Sequence, residues 1–250
     1  MQFNIYPNRD ATIYNVKLNN YIISSSNSGQ SEILELLHLT ASLTNKGDSR
    51  ILLYFDLTDL SQSINLGLIP SSSVDFRLKM KNAPHADEVP SSYDLAIFAL
   101  SRSWDEGRGL SDYDMGLKDR NQFVNWANAT SIQSWTIPGG DMITNLSATQ
   151  HFDFGTEDLE INISNLVYAW LTGGVPNNGM VLKYLDTYES GTIDYAFKRF
   201  FSRHVKVPER KPYIASRWDR AVQDDRANMN FGLTGSLYYY RFLNGAYSNL

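Results

Sequence analysis

The chain has 250 residues, with 22 Lys plus Arg against 27 Asp plus Glu, no Cys and a formal net charge of −5. That length holds one large all-β domain or a domain with a short appendage, and the charges form no basic stripe, so nucleic acid is not expected as a direct partner. Without Cys, disulfides, thiolate zinc sites and Cys nucleophiles are excluded together, and the fold must stand on packing.

The first ten residues carry no charged segment followed by an apolar one, and no apolar run reaches the ~18 residues of a membrane span. The chain therefore reads as soluble, with nothing directing secretion and no membrane partner. Residues 11–16 alternate as a first strand, and the Ser-rich cluster 24–29 reads as a turn. Residues 31–39 suit a strand or a short helix by pattern, and their context favours a strand. In residues 50–57, Ile51, Leu53 and Phe55 share one face and Leu52 and Tyr54 the other, a strand that runs into a short helical turn at 56–60. Residues 74–80 alternate Val74, Phe76, Leu78 and Met80 against Asp75, Arg77 and Lys79, and residues 93–101 repeat the pattern.

Between residues 102 and 149 the periodicity fades, and Trp104, Trp126 and Trp135 lie among Gly, Asp, Asn and Ser. A stretch of that length reads as loops packed across a sheet by their own large side chains. A strand is expected at 160–163, then a helix over 163–171 with Ser164 as N-cap and Gly173-Gly174 as its stop. Strands follow at 181–185, 195–201 and 213–217. From Val222 the chain turns polar and linker-like, and residues 235–247 form a strand and turn pattern crowded with aromatics. Most of the 15 Tyr, 12 Phe and 5 Trp fall in strand-like segments, where core or sheet-face packing accounts for them.

Several of these segments together resemble a known family. Asp10-Ala11-Thr12-Ile13, Arg50-Ile51-Leu52-Leu53-Tyr54-Phe55-Asp56-Leu57, Trp104-Asp105-Glu106, Asn125-Trp126, Phe152-Asp153-Phe154, Leu166-Val167-Tyr168-Ala169-Trp170, Phe200-Phe201-Ser202-Arg203 and Pro212-Tyr213-Ile214 occur in the order of the DNRLRE-type domain. The resemblance spans about residues 10–218. It departs from the family pattern in an insert at 110–122 and does not extend to the tail from residue 228. It implies a jelly-roll β-sandwich similar to carbohydrate-binding modules, of a kind found in bacterial surface proteins and bacteriophage structural proteins. The phage branch fits a chain with no Cys and no secretion signal.

Catalytic chemistry has little to stand on. None of His38, His85, His151 and His204 has a partner at metal-ligand spacing, and there is no Gly-x-Ser-x-Gly elbow. Asp105, Glu106, Asp112, Asp114 and Asp119 could hide a carboxylate pair or a calcium loop, but a solvated acidic loop accounts for them, and they lack EF-hand spacing. Gly139-Gly140 and Gly173-Gly174 lack phosphate-loop spacing and suit turns with positive φ.

The reading is an all-β chain: a jelly-roll β-sandwich over 1–222 with one or two short helices, and a C-terminal tail or hairpin over 223–250. The expected function is that of a non-enzymatic bacteriophage virion protein of the head, neck or tail, assembled in the host cytoplasm. Its partners would be other virion proteins and copies of itself, with no cofactor and no metal. Tyr238, Tyr239, Tyr240, Arg241 and Phe242 are the expected contact residues, since Tyr and Arg are favoured at binding hot spots. The alternative is a carbohydrate-binding or adhesive module, secreted or on a cell surface, with Trp104, Trp126 and Trp135 stacking on a glycan.

Overall fold

The computed structural model describes residues 2–18, 21–40, 46–85, 91–110, 123–185, 195–218, 231–232, 234–235, 240–243 and 246–249. In chain order the strands are β1 (Gln2–Ile5), β2 (Arg9–Leu18), β3 (Tyr21–Ile23), β4 (Ile33–Leu39), β5 (Lys46–Tyr54), β6 (Asp75–Met80), β7 (Tyr93–Leu100), β8 (Met142–Phe152), β9 (Leu159–Asn162), β10 (Met180–Tyr184), β11 (Tyr195–Phe201), β12 (Tyr213–Arg217), β13 (Tyr240–Leu243) and β14 (Ala246–Asn249). Helix α1 (Thr58–Asn65) follows β5, and α2 (Ser164–Leu171) follows β9.

One sheet has the order β1-β12-β6-β9; the other runs β11-β4-β5-β10-β7-β8, with β2 pairing to β5 and to β3. All pairings are antiparallel. The chain changes sheet after β1, β5, β6, β8, β9 and β11, so strands distant in sequence become neighbours, as β4 and β11 or β1 and β12 do. That wrapping makes the chain an all-β, jelly-roll-like sandwich.

The alternating strands sort their faces as expected. Ile51, Leu53, Phe55, Phe76, Leu78, Met80, Leu95 and Ile97 are buried between the sheets, each large side chain contributing roughly 1.5–3 kcal/mol by leaving water. The outer face of the β6 sheet is a solvated lattice of ion pairs, in which Arg77 meets Asp75 at 2.6 Å and Lys79 meets Glu160 at 2.7 Å. Where the short β4–β5 ladder ends, side chains replace ladder bonds. Ser49 Oγ accepts from Leu37 N and donates to Glu35 O, and Thr12 Oγ1 accepts from Glu35 N.

Four local expectations change. An eleven-residue strand, β8, occupies part of the stretch expected to be loops, and β1 and β3 had no sequence signal of their own. β8 is legible only in three dimensions because its alternation is broken by a register shift opposite Phe98 and Ala99. Ser164 is the first helical residue of α2 instead of its N-cap. Asn162 Oδ1 accepts from Ser164 N, which frees the Ser164 hydroxyl to accept from Phe76 N and dock the helix on β6. The glycine turns hold at Gly139, Gly140 and Gly173, where φ is 90°, 118° and 72°.

Sheet edges are tied down. Gln150 of β8 donates to Asp158 O and accepts from Glu160 N, and Asn165 donates to Ser147 O. Beside β11, Phe201 N donates to Lys81 O and Ala83 N to Arg199 O. Such closures shield the edges at β8 and β11, which would otherwise offer a template for strand addition. β13 and β14 form a separate two-stranded sheet with Phe242 opposite Tyr247.

Candidate functional site

The long connection between β7 and β8 folds back over the outer face of the larger sheet and builds a second apolar cluster there. Trp104 and Trp135 are buried in it with Ala11, Ile13, Leu52, Leu100, Val124, Ala129 and Val181. Trp104 Nε1 donates to Asn178 O at 3.1 Å, and Trp135 Nε1 donates to Asn125 O at 2.9 Å. Both indoles are therefore covered on their faces and bonded at their polar edge. Trp126 is half-buried, with the Arg50 guanidinium 4.7 Å from its ring centroid. Arg50 also donates to Gly139 O at 3.0 Å. A Cβ on Gly139 would lie 2.5 Å from Arg50 Nη1, so both φ and space at this turn call for glycine.

Three of the segments that carry the resemblance meet at one end of this loop. Asp10 opens β2, Glu106 follows Trp104, and Arg203 and His204 lie in the turn after β11. Asp10 is fully buried. Its backbone N donates to Glu106 Oε1 at 2.8 Å, and its Oδ2 accepts from Arg203 N at 2.6 Å. Arg203 grips Glu106 with two bonds, Nε to Oε1 at 2.9 Å and Nη2 to Oε2 at 2.5 Å. The same guanidinium stands 3.9 Å from Asp10 Oδ1. Burial pushes the Asp10 carboxyl up to about 7, opposed chiefly by the Arg203 backbone bond. Burial, then the charge of Arg203, lowers His204 below its ordinary value, which favours the neutral ring.

Two clefts flank these elements. One, of about 360 Å³, lies between α1 and the end of α2 and is lined by residues including Tyr54, Asp56, Gln62, Trp170 and Asn177. The other, of about 560 Å³, includes Arg102, Thr136, Asp141 and Asn178 in its lining. Asp141 is fixed there by bonds from Ile137 N and Arg102 Nε, which, against the cost of its burial, hold its carboxyl below the ordinary value.

Of the expected contact residues, Tyr240, Arg241 and Phe242 lie in β13, while Tyr238 and Tyr239 fall outside the described residues. Asp112, Asp114 and Asp119, in the insert, also lie outside them. Glu106 is half-buried in the Asp10 cluster, and Asp105 beside it is exposed. His38 bonds Asp48 at 2.6 Å, and His151 bonds Asp94 at 3.0 Å. Spacing along the chain could not reveal the gathering of Asp10, Glu106 and His204, because its members come from three separate segments. No family model matches the chain, and no curated protein matches it in sequence. Among the described residues, no helix is long and apolar enough to cross a membrane.

Proposed function

We propose that this chain is a non-enzymatic building block of a bacteriophage particle that acts through protein–protein interfaces. The observation that carries this reading is the β13–β14 hairpin, a two-stranded sheet that, among the described residues, pairs with neither sheet of the sandwich. An isolated hairpin is marginally stable in water, and a surface on which it could pack would stabilise it. A neighbouring subunit supplies such a surface many times over in a symmetric particle, where modest affinities sum to large avidity. The tied edges at β8 and β11 fit the same division of labour, with the domain as the body and the tail as its connector.

The phage assignment itself rests on the ordered motifs of the DNRLRE resemblance and on the absence of Cys. The carbohydrate-binding alternative loses two of its three stacking residues, since Trp104 and Trp135 have no open ring face. Deleting residues 228–250 is expected to leave the thermal unfolding of the sandwich unchanged and to abolish both self-association in light scattering and incorporation into particles. A truncated chain that still associates and is still incorporated removes the tail from the interface.

A further inference from the structure

Asp10, Glu106 and His204 each offer one ligand atom, and these atoms all lie within 4.8 Å of one another. Two polar atoms of this group are buried without a hydrogen-bond partner, Asp10 Oδ1 and His204 Nε2. Burying such an atom unpaired is costly, and two of them in one cluster point to an occupant that both can hold. The geometry points to a site for a divalent transition-metal ion of the Zn²⁺ type, held by Asp10, Glu106 and His204.

The donor set selects the ion. Imidazole with carboxylates suits Zn²⁺, whereas Ca²⁺ requires six to eight oxygens. Charge permits it as well. The single Arg203 guanidinium grips Glu106 with two bonds and stands 3.9 Å from Asp10 Oδ1, so one cation faces two carboxyl groups and a bound metal ion would take the place of the Asp10 proton. Glu106 keeps coordinating capacity. Its Oε1 accepts from Asp10 N and Arg203 Nε and its Oε2 from Arg203 Nη2, so of the roughly four lone-pair sites of a carboxylate one remains, on Oε2.

Metal bonds of about 2.0–2.2 Å place tetrahedral ligand atoms roughly 3.3–3.6 Å apart. The three ligand atoms lie within 4.8 Å of one another, and His204 is half-buried on the turn after β11. A bound ion would join the opening of β2, the start of the long loop and the turn after β11, and would stabilise the folded chain by mass action.

The test is calorimetric titration of the full chain with ZnCl₂, paired with thermal unfolding. Saturable binding at a single site and a raised Tm are expected, with no rise in CaCl₂. His204→Ala, which removes a half-buried side chain and keeps the core, is expected to weaken Zn²⁺ binding at least about tenfold. Asp10→Asn should do the same, and should it fail to fold, His204→Ala carries the test alone. His151→Ala removes the exposed His beside Asp94 and Asp153 and is expected to leave binding unchanged. Absence of Zn²⁺ binding, binding that persists in His204→Ala, or binding lost in His151→Ala each overturns the assignment.

Discussion

Replacing Trp104 with Ala is expected to lower the stability of the sandwich by about 4 kcal/mol, the middle of the range for removing a buried Trp. The indole is fully buried, and its loss opens a cavity between the long loop and the larger sheet. It also leaves Asn178 O without the Trp104 Nε1 donor. Arg9 loses one of two aromatic neighbours, since its guanidinium lies 4.2 Å from the Tyr54 centroid and 5.1 Å from that of Trp104. For a chain of this size the effect corresponds to a fall in Tm of about 12 °C. Trp126→Ala, at a half-buried site, is expected to cost about 1 kcal/mol. Urea unfolding of the two variants measures the contrast. Equal losses would mean that the second apolar cluster does not depend on Trp104 as its burial implies.

Lys198→Met is expected to cost about 3 kcal/mol, because it leaves several buried acceptors unpaired at once. Lys198 is fully buried on β11. Its ammonium donates to Asn82 Oδ1 at 2.7 Å, Gly155 O at 2.8 Å and Glu157 O at 2.7 Å, and it stands 5.0 Å from the ring centroids of Phe152 and Phe200. Met matches the length of the stem and leaves all three oxygens without this donor.

A second measurement on the same variant separates charge from shape. Burial lowers the Lys198 ammonium from its ordinary 10.5 to about 8 in the folded chain. Between those values the unfolded chain holds a proton that the folded one has released, so this group makes stability rise with pH across that window. The margin of the wild-type chain over Lys198→Met should therefore widen from pH 8 toward pH 10 in paired denaturant titrations. A margin that narrows over that range contradicts a desolvated ammonium.

Lys198 also shows where sequence reasoning stops. Within residues 195–201 the pattern marks a strand, and its period places Lys198 on the inward face with Ala196 and Phe200. A lysine is almost never buried without partners, and its partners here are two backbone carbonyls and an Asn from other parts of the chain. Nothing in the local pattern announces them. The Asp10 cluster is the same case in another form. Asp10, Glu106 and Arg203 each lie inside a segment of the resemblance, yet their mutual bonds depend on how β2, the loop after β7 and the turn after β11 converge.

Sequence by itself determined the all-β class, the face assignments of the regular strands, the position of α2 and the glycine turns. These follow from the two-residue period of strands, the 3.6-residue period of helices and the steric freedom of glycine, all of which act over a few residues. The tertiary structure alone decided that Trp104 and Trp135 are covered, that β8 is a strand despite its broken alternation, and that Lys198, Asp10, Glu106 and His204 have the neighbours they do. Those outcomes join residues many tens of positions apart, from Trp104 to Asn178 and from Asp10 to Arg203. They depend on sheet order and crossover, and no local period encodes either.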